Sequence, residues 1–220
     1  LEIYNQNIES IINNKLYNLL RNFVSPIVCI TSTHNGKYNG MISNSVLRGS
    51  LLPEIPRIII VISKRNMTHD MIYNSGVYHI MCHISHDMIY NSGVFAVHLL
   101  KTNQMNLVWE LGFFSGRTKN KLHNIEYEFK ESDSPILKNG YAYLDCKVVN
   151  CMDVGDSTCF LGTILKADII SEGEILTSEY FRKHMPAKWS DKYQEQLKEA
   201  QEFAQKYGDK ITYKQWKNEH

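Results

Sequence analysis

Cysteine pairs, long apolar runs and an excess of one charge are all missing from this sequence, and each absence removes a class of protein. The five cysteines (Cys29, Cys82, Cys146, Cys151 and Cys159) are odd in number, and no two stand at C-x-x-C spacing. That excludes a disulfide framework and a paired-cysteine metal knuckle, and it predicts reduced thiols in a cytoplasmic protein. No stretch is apolar for long enough to cross a bilayer, so no membrane partner is expected. Lys and Arg number 24 against 23 Asp and Glu, a net charge of +1, which gives no general pull toward nucleic acid. The opening segment, Leu1 to Asn22, mixes Asn, Glu and Lys with Ile and Leu. It reads as an amphipathic helix rather than a secretory signal. A chain of 220 residues has room for one sizeable core and a small appendage.

What is present is mostly strand. Pro26 to Thr33 (PIVCITST) is a β-branched run and predicts a strand. His34 to Gly40 (HNGKYNG) predicts a hairpin turn, with Met41 to Leu47 returning. Pro53 and Pro56 break the chain. Arg57 to Ser63 (RIIIVIS) predicts a strand buried on both faces. Thr68 is placed to cap a short helix that Gly76 would end. Val94 to Leu100 predicts another strand, and Asn103 a cap for a helix reaching about Phe114. Ala142, Leu144, Cys146 and Val148 alternate with polar or amphipathic residues, and Thr158 to Ile170 predicts a further long strand. This spacing predicts a mainly β (α+β) fold, a closed or split β-barrel with short helices. Tyr193, Leu197, Ala200, Ala204 and Tyr207 share one helical face, so Ser190 to Tyr207 predicts a surface helix on the barrel or on a second subunit. The division is therefore a helix over 1–24, the barrel domain over 25–172 and a helical extension over 173–220.

One nine-residue string occurs twice. His69 to Val77 (HDMIYNSGV) recurs identically at His86 to Val94, too short for a solenoid unit. A tandem duplication accounts for it, with 69–85 as the added copy. Either Tyr78 to Ile84 or Phe95 to Leu100 fits a strand, and the second copy is expected to lead into the sheet. The insert also creates H-x-x-C-H-x-x-H from His79, Cys82, His83 and His86. On a helix, His79 and His83 share a face and suit zinc; on a strand, Cys82 points away from them. Nothing else supports a metal, and none is expected.

The candidate chemistry lies between residues 39 and 68. Ser43, Asn44 and Ser45 stand on a strand beside a Gly turn, where exposed backbone amides suit a flat heterocycle. Lys64, Arg65 and Thr68 stand at a strand end and helix start, which suits a phosphate. Taken alone, the same residues also read as a polar edge and a solvated strand end. Cys29, Trp109 and Phe113 read as core, and Trp189 and Trp216 as pins for the tail helix.

The order of these pieces resembles the flavin reductase-like family, with its FMN-binding split barrel. The motifs are the PIVCITS strand; N-G-x-x-x-N at Asn39 to Asn44; S-x-x-P-x-x-P; the S-K-x-x-x-T at Ser63 to Thr68; I-x-x-S-G-x-F-x-V; FSGRTKNKL at Phe114 to Leu122; and GDSTCFLG at Gly155 to Gly162. They cover roughly Pro26 to Ile170. The resemblance implies an oxidoreductase that passes a hydride from NAD(P)H to a bound flavin, FMN or FAD, and on to a free flavin or redox partner protein. An FMN electron carrier and a flavin-less binding domain are the alternatives. It implies that Ser43, Asn44 and Ser45, with Asn39, line the ring and ribityl chain. Ser63, Lys64, Arg65 and Thr68 would face the phosphate, with Ser115, Gly116 and Arg117 closing the pocket. No side chain is implied as an acid or base. It also implies a homodimer. Some relatives carry a rubredoxin module; this chain has no Cys pair for one, and the module is expected to be absent. Ser157 stands where the family often has a His associated with the nicotinamide side.

Overall fold

A computed structural model describes residue 19 and residues 23–75 and 93–211. The expected first helix, the Tyr78–Ile84 excursion, the His/Cys cluster and Trp216 lie outside the described residues, apart from Leu19.

Seven antiparallel strands form one sheet. In chain order they are β1 (Val28–His34), β2 (Lys37–Ser43), β3 (Val46–Arg48), β4 (Arg57–Ser63), β5 (Val94–Leu99), β8 (Ala142–Asp153) and β9 (Ser157–Ile169). A small ribbon, β6 (Tyr127–Glu128) with β7 (Ile136–Leu137), stands apart. The spatial order is β2-β1-β5-β8-β9-β4-β3. β2 and β3 are therefore the two edges, yet only Asn44 and Ser45 join them. That link reaches at most about 11 Å, whereas the edges of a flat seven-stranded sheet lie about 29 Å apart. The sheet has to curl until its edges nearly meet, and the result is a split barrel. The Val61 amide donates to the Ser45 carbonyl at 3.0 Å, extending the β3–β4 ladder up to the seam.

The β1–β2 turn is tighter than the sequence reading. Asn35 and Gly36 alone make it, both with positive φ (51° and 71°). Such a two-residue turn matches the twist of the paired strands. β2 consequently begins at Lys37 and takes in Asn39 and Gly40. It stops at Ser43, and Val46–Arg48 crosses to the opposite edge instead of continuing β2. β4 has the expected bounds but not the expected burial. Ile58, Ile60 and Ile62 are buried while Ile59 and Val61 are only half-buried, because its outer face borders an open cleft rather than a helix.

Inside the barrel, Val28, Ile30, Ile60, Ile62, Phe95, Val97 and Phe160 form a closed core. Each of the two fully buried phenyl rings contributes about 2–3 kcal/mol by leaving water. β5 lies between β1 and β8, so the second copy of the repeat does lead into the sheet. A second core lies outside the barrel, where Cys29, Leu100, Leu111, Leu122, Leu176 and Phe181 pack under helices. Burial pushes the Cys29 thiol up to about 12, so it is an inert core residue. His98, fully buried, is held down to about 4 by burial. Its Nε2 accepts from the Leu137 amide at 3.1 Å and its Nδ1 lies 3.2 Å from the Cys29 carbonyl, the pattern of a neutral ring.

Among the described residues, four helices dress the barrel: α1 (Met67–Ser75), α2 (Met105–Gly112), α3 (Ser178–His184) and α4 (Ser190–Tyr207). Asn103 does not cap α2. It sits in a 3-10 turn, Thr102–Gln104, that the Gln104 side chain closes by accepting from the Lys101 amide at 2.9 Å. Trp189 does pin the tail: it is buried and stacks on Trp109 of α2 at 5.0 Å. Among the described residues, no helix is long and apolar enough to cross a membrane.

Candidate functional site

α1 separates two hollows. β4 delivers the chain to the end of the barrel, and Asn66 and Met67 open the helix. Thr68 lies inside the first turn rather than capping it, because its hydroxyl is engaged across the sheet. The Asn39 side chain of β2 donates to Thr68 Oγ1 at 2.9 Å, and both residues are buried. The Thr68 O–H proton remains available to a second acceptor.

This pair floors a recess of about 350 Å³. Arg65, Ser115, Gly116 and Lys121 line its sides, Phe113 and Phe114 border it, and α4 closes over it with Lys192, Glu195, Gln196 and Glu199. A volume above about 300 Å³ suits a small-molecule group. Gly116 is required here: a Cβ would come within 2.6 Å of the Asn39 Cγ. The Ser115–Gly116 backbone is thus pressed against the amide that holds Thr68.

Lys121 is the residue that the motif reading did not assign to the site. It is 7% exposed, and its ammonium donates to the Leu111 carbonyl at 2.8 Å. Burial lowers it to about 8, so most of it is still charged at neutrality. An ammonium has three N–H donors, and a buried cation beside free hydroxyls suits an anion. The signal was there in the sequence, as the Lys that follows S-G-R in FSGRTKNKL, but its inward aim depends on Leu111, ten residues away.

The remaining motif residues lie elsewhere. Lys64 turns to the other side of α1 and is held by Asp153 and the Gly155 carbonyl, both at 2.6 Å. Ser63 contacts the Arg65 amide and the Asp156 carbonyl. Arg117 pairs with Asp70 at 2.7 Å on the surface. Ser43 shares a face of β2 with Asn39 and Met41, about 13 Å beyond Asn39. Asn44 and Ser45 are exposed at the seam. The structure therefore gathers Asn39, Arg65, Thr68, Ser115 and Gly116 into one recess and leaves Ser43, Asn44, Ser45, Ser63, Lys64 and Arg117 outside its walls.

The second hollow, about 910 Å³, opens between α1, β8 and β9. Its lining is mainly apolar (Ile59, Met152, Cys159, Leu161), with His69, Tyr73 and Thr158 at one end. The His69 ring stacks on Tyr73 at 5.7 Å and meets Thr158 Oγ1 at 2.9 Å. Burial lowers its basicity, partly offset by Asp70.

The seven-stranded antiparallel barrel is split at one seam and carries a basic, hydroxyl-lined recess at its end, of a size that suits a small-molecule group. The chain belongs to the family of the flavin reductase like domain, whose model matches residues 20–188. It is 27% identical over 153 residues to the high molecular weight rubredoxin of Moorella thermoacetica, covering 69% of this chain but only 59% of that protein. It is 27% identical over 149 residues to a ferric-chelate reductase (NAD(P)H) of Archaeoglobus fulgidus, covering 67% and 78%. Among solved structures it is similar to the flavoredoxin of Methanosarcina acetivorans (TM-score 0.55, 20% identity, 67% of this chain and 70% of that one). That last likeness speaks to the fold alone.

Proposed function

We propose that the domain binds a flavin mononucleotide and works as an NAD(P)H-dependent oxidoreductase. The observation that carries this reading is the convergence of Arg65, Thr68, Ser115 and Lys121 on one recess floored by Asn39. These groups fit a phosphate: two cations, two hydroxyls and a closely approaching Gly116 backbone, with Lys121 buried and anchored on the Leu111 carbonyl. When bound, the flavin ring supplies the hydride and electron chemistry, and no side-chain acid or base is needed. Arg65 and Lys121 neutralise the phosphate. Thr68 and Ser115 donate to its oxygens. Asn39 keeps Thr68 oriented. Ser43, farther along the same face of β2, supports the other end of an extended ligand, beside Asn44 and Ser45 at the seam.

A cytoplasmic homodimer fits the apolar rim near the seam. Leu47, Leu51 and Leu52 are all more than half exposed there, and a second subunit would cover them. An FMN electron carrier serving a protein partner is the second reading. It is favoured by Ser157, whose hydroxyl contacts only its neighbour Asp156 among the described contacts, where an imidazole would be expected. The two readings part on one experiment. The purified protein should bind FMN with micromolar or tighter affinity, and NADH or NADPH should bleach the flavin absorption without any added partner. Bound flavin that NAD(P)H leaves oxidised would favour the carrier. No flavin binding at all would remove both.

A further inference from the structure

The helix over the recess lies beyond the family's matched stretch. That match ends at residue 188, and α4 begins at Ser190. No residue of α4 is fully buried; its apolar face (Tyr193, Leu197, Ala200 and Ala204) is half-buried, with Tyr193 against Phe113 and Phe181. Polar contacts add to that packing over the recess. Arg65 Nη2 meets Glu199 Oε2 at 2.6 Å, and Arg65 Nη1 donates to the Gln196 carbonyl at 3.3 Å. The Gln196 side chain donates to the Gly112 carbonyl at 3.4 Å. Glu195 adds a second carboxylate to the recess wall.

A carboxylate on a guanidinium occupies the same in-plane N–H donors that a phosphate takes. We propose that α4 is an internal competitor: Glu199 sits on Arg65 where the phosphate of an incoming ligand would sit. A phosphorylated ligand then has to displace the middle of α4, and free protein keeps its recess covered. This rests on the reading of Arg65 as a phosphate contact. Lys121 is held by the Leu111 carbonyl and is not engaged by α4 in any described contact. The recess therefore keeps one cation ready while the other is masked.

The test uses the full chain. FMN titrated into Glu199→Gln should bind about two- to fivefold more tightly than into wild type, the range that an exposed ion pair supports. The gain should shrink at high salt. Glu202→Gln serves as the control. Glu202 is not among the residues lining the recess and stands 4.0 Å from Lys198, so the variant's affinity should not change. Amide exchange supplies a readout that needs no ligand: α4 around Gln196 should exchange faster in Glu199→Gln than in wild type, with β1 and β5 unchanged. Adding FMN to wild type should likewise speed exchange in α4. Equal or weaker FMN binding by Glu199→Gln overturns the competitor, as does α4 exchange that slows on FMN addition. Unchanged α4 exchange in the ligand-free variant overturns it whatever FMN does. Failure of FMN to bind every protein, with α4 exchange still raised in Glu199→Gln, overturns the flavin reading and leaves the latch in place.

Discussion

Thr68 and His69 are neighbours in the first turn of α1, both buried and both bonded to a distant strand, yet they face opposite environments. Thr68 is tied to Asn39 of β2 and looks into a recess with Arg65 and Lys121. His69 is tied to Thr158 of β9 and looks into a larger, mainly apolar cleft, stacked on Tyr73. One helical turn thus divides a charged hollow from a greasy one. The comparison teaches that volume does not rank a site. The larger cleft has its one lysine, Lys64, already paired with Asp153, while the smaller recess keeps a buried lysine with no carboxylate among its described contacts.

If that contrast is right, Lys121→Met should have the largest effect. Flavin affinity measured by fluorescence titration should fall about 10- to 100-fold, the range for losing a charged hydrogen bond. In wild type the affinity should also weaken as pH rises through about 8, because Lys121 loses its charge there. Affinity that stays flat from pH 7 to 9 would break the assignment of Lys121 to the recess. Next is Gly116→Ala. Its methyl would push the Asn39 side chain off Thr68, costing roughly 1–3 kcal/mol in denaturant unfolding and about tenfold in flavin affinity. On the cleft side, Thr158→Val removes the partner of His69 Nε2. It should cost about 1–2 kcal/mol of stability and leave flavin affinity unchanged; a matched loss of affinity would merge the two hollows into one site.

The smallest effect concerns pH. His69 has a folded pKa below its unfolded value of about 6.5, so its contribution is present above that pH and lost as pH falls. His98 acts in the same direction down to about 4. His69→Asn should therefore flatten, but not abolish, the loss of stability between pH 7 and 5 followed by circular dichroism.

Much of the barrel was legible because strand signals are local. A hairpin after β1, the bounds of β4 and the lead into β5 follow from short-range pattern, and α4 has the predicted bounds. The edges of β2 and β3 were not legible, since the seam is set by closure of the sheet and not by the residues at it. The site was half legible. The motif order named Arg65, Thr68, Ser115 and Gly116, but side-chain direction separated Lys64 from Arg65, adjacent in sequence and on opposite sides of α1. Lys121 depends on the Leu111 carbonyl, and the cover over the recess on a helix more than 120 residues from Arg65. Such distances leave no periodic trace.

The stacked indoles of Trp109 and Trp189 sit where α4 leaves the body of the protein. Two such chromophores at 5.0 Å couple their electronic transitions, so the near-ultraviolet dichroism of the native chain carries an exciton signature of this junction. The molecule is furnished with its own optical gauge, readable without a label, for whether the root of that helix stays seated while its middle lifts.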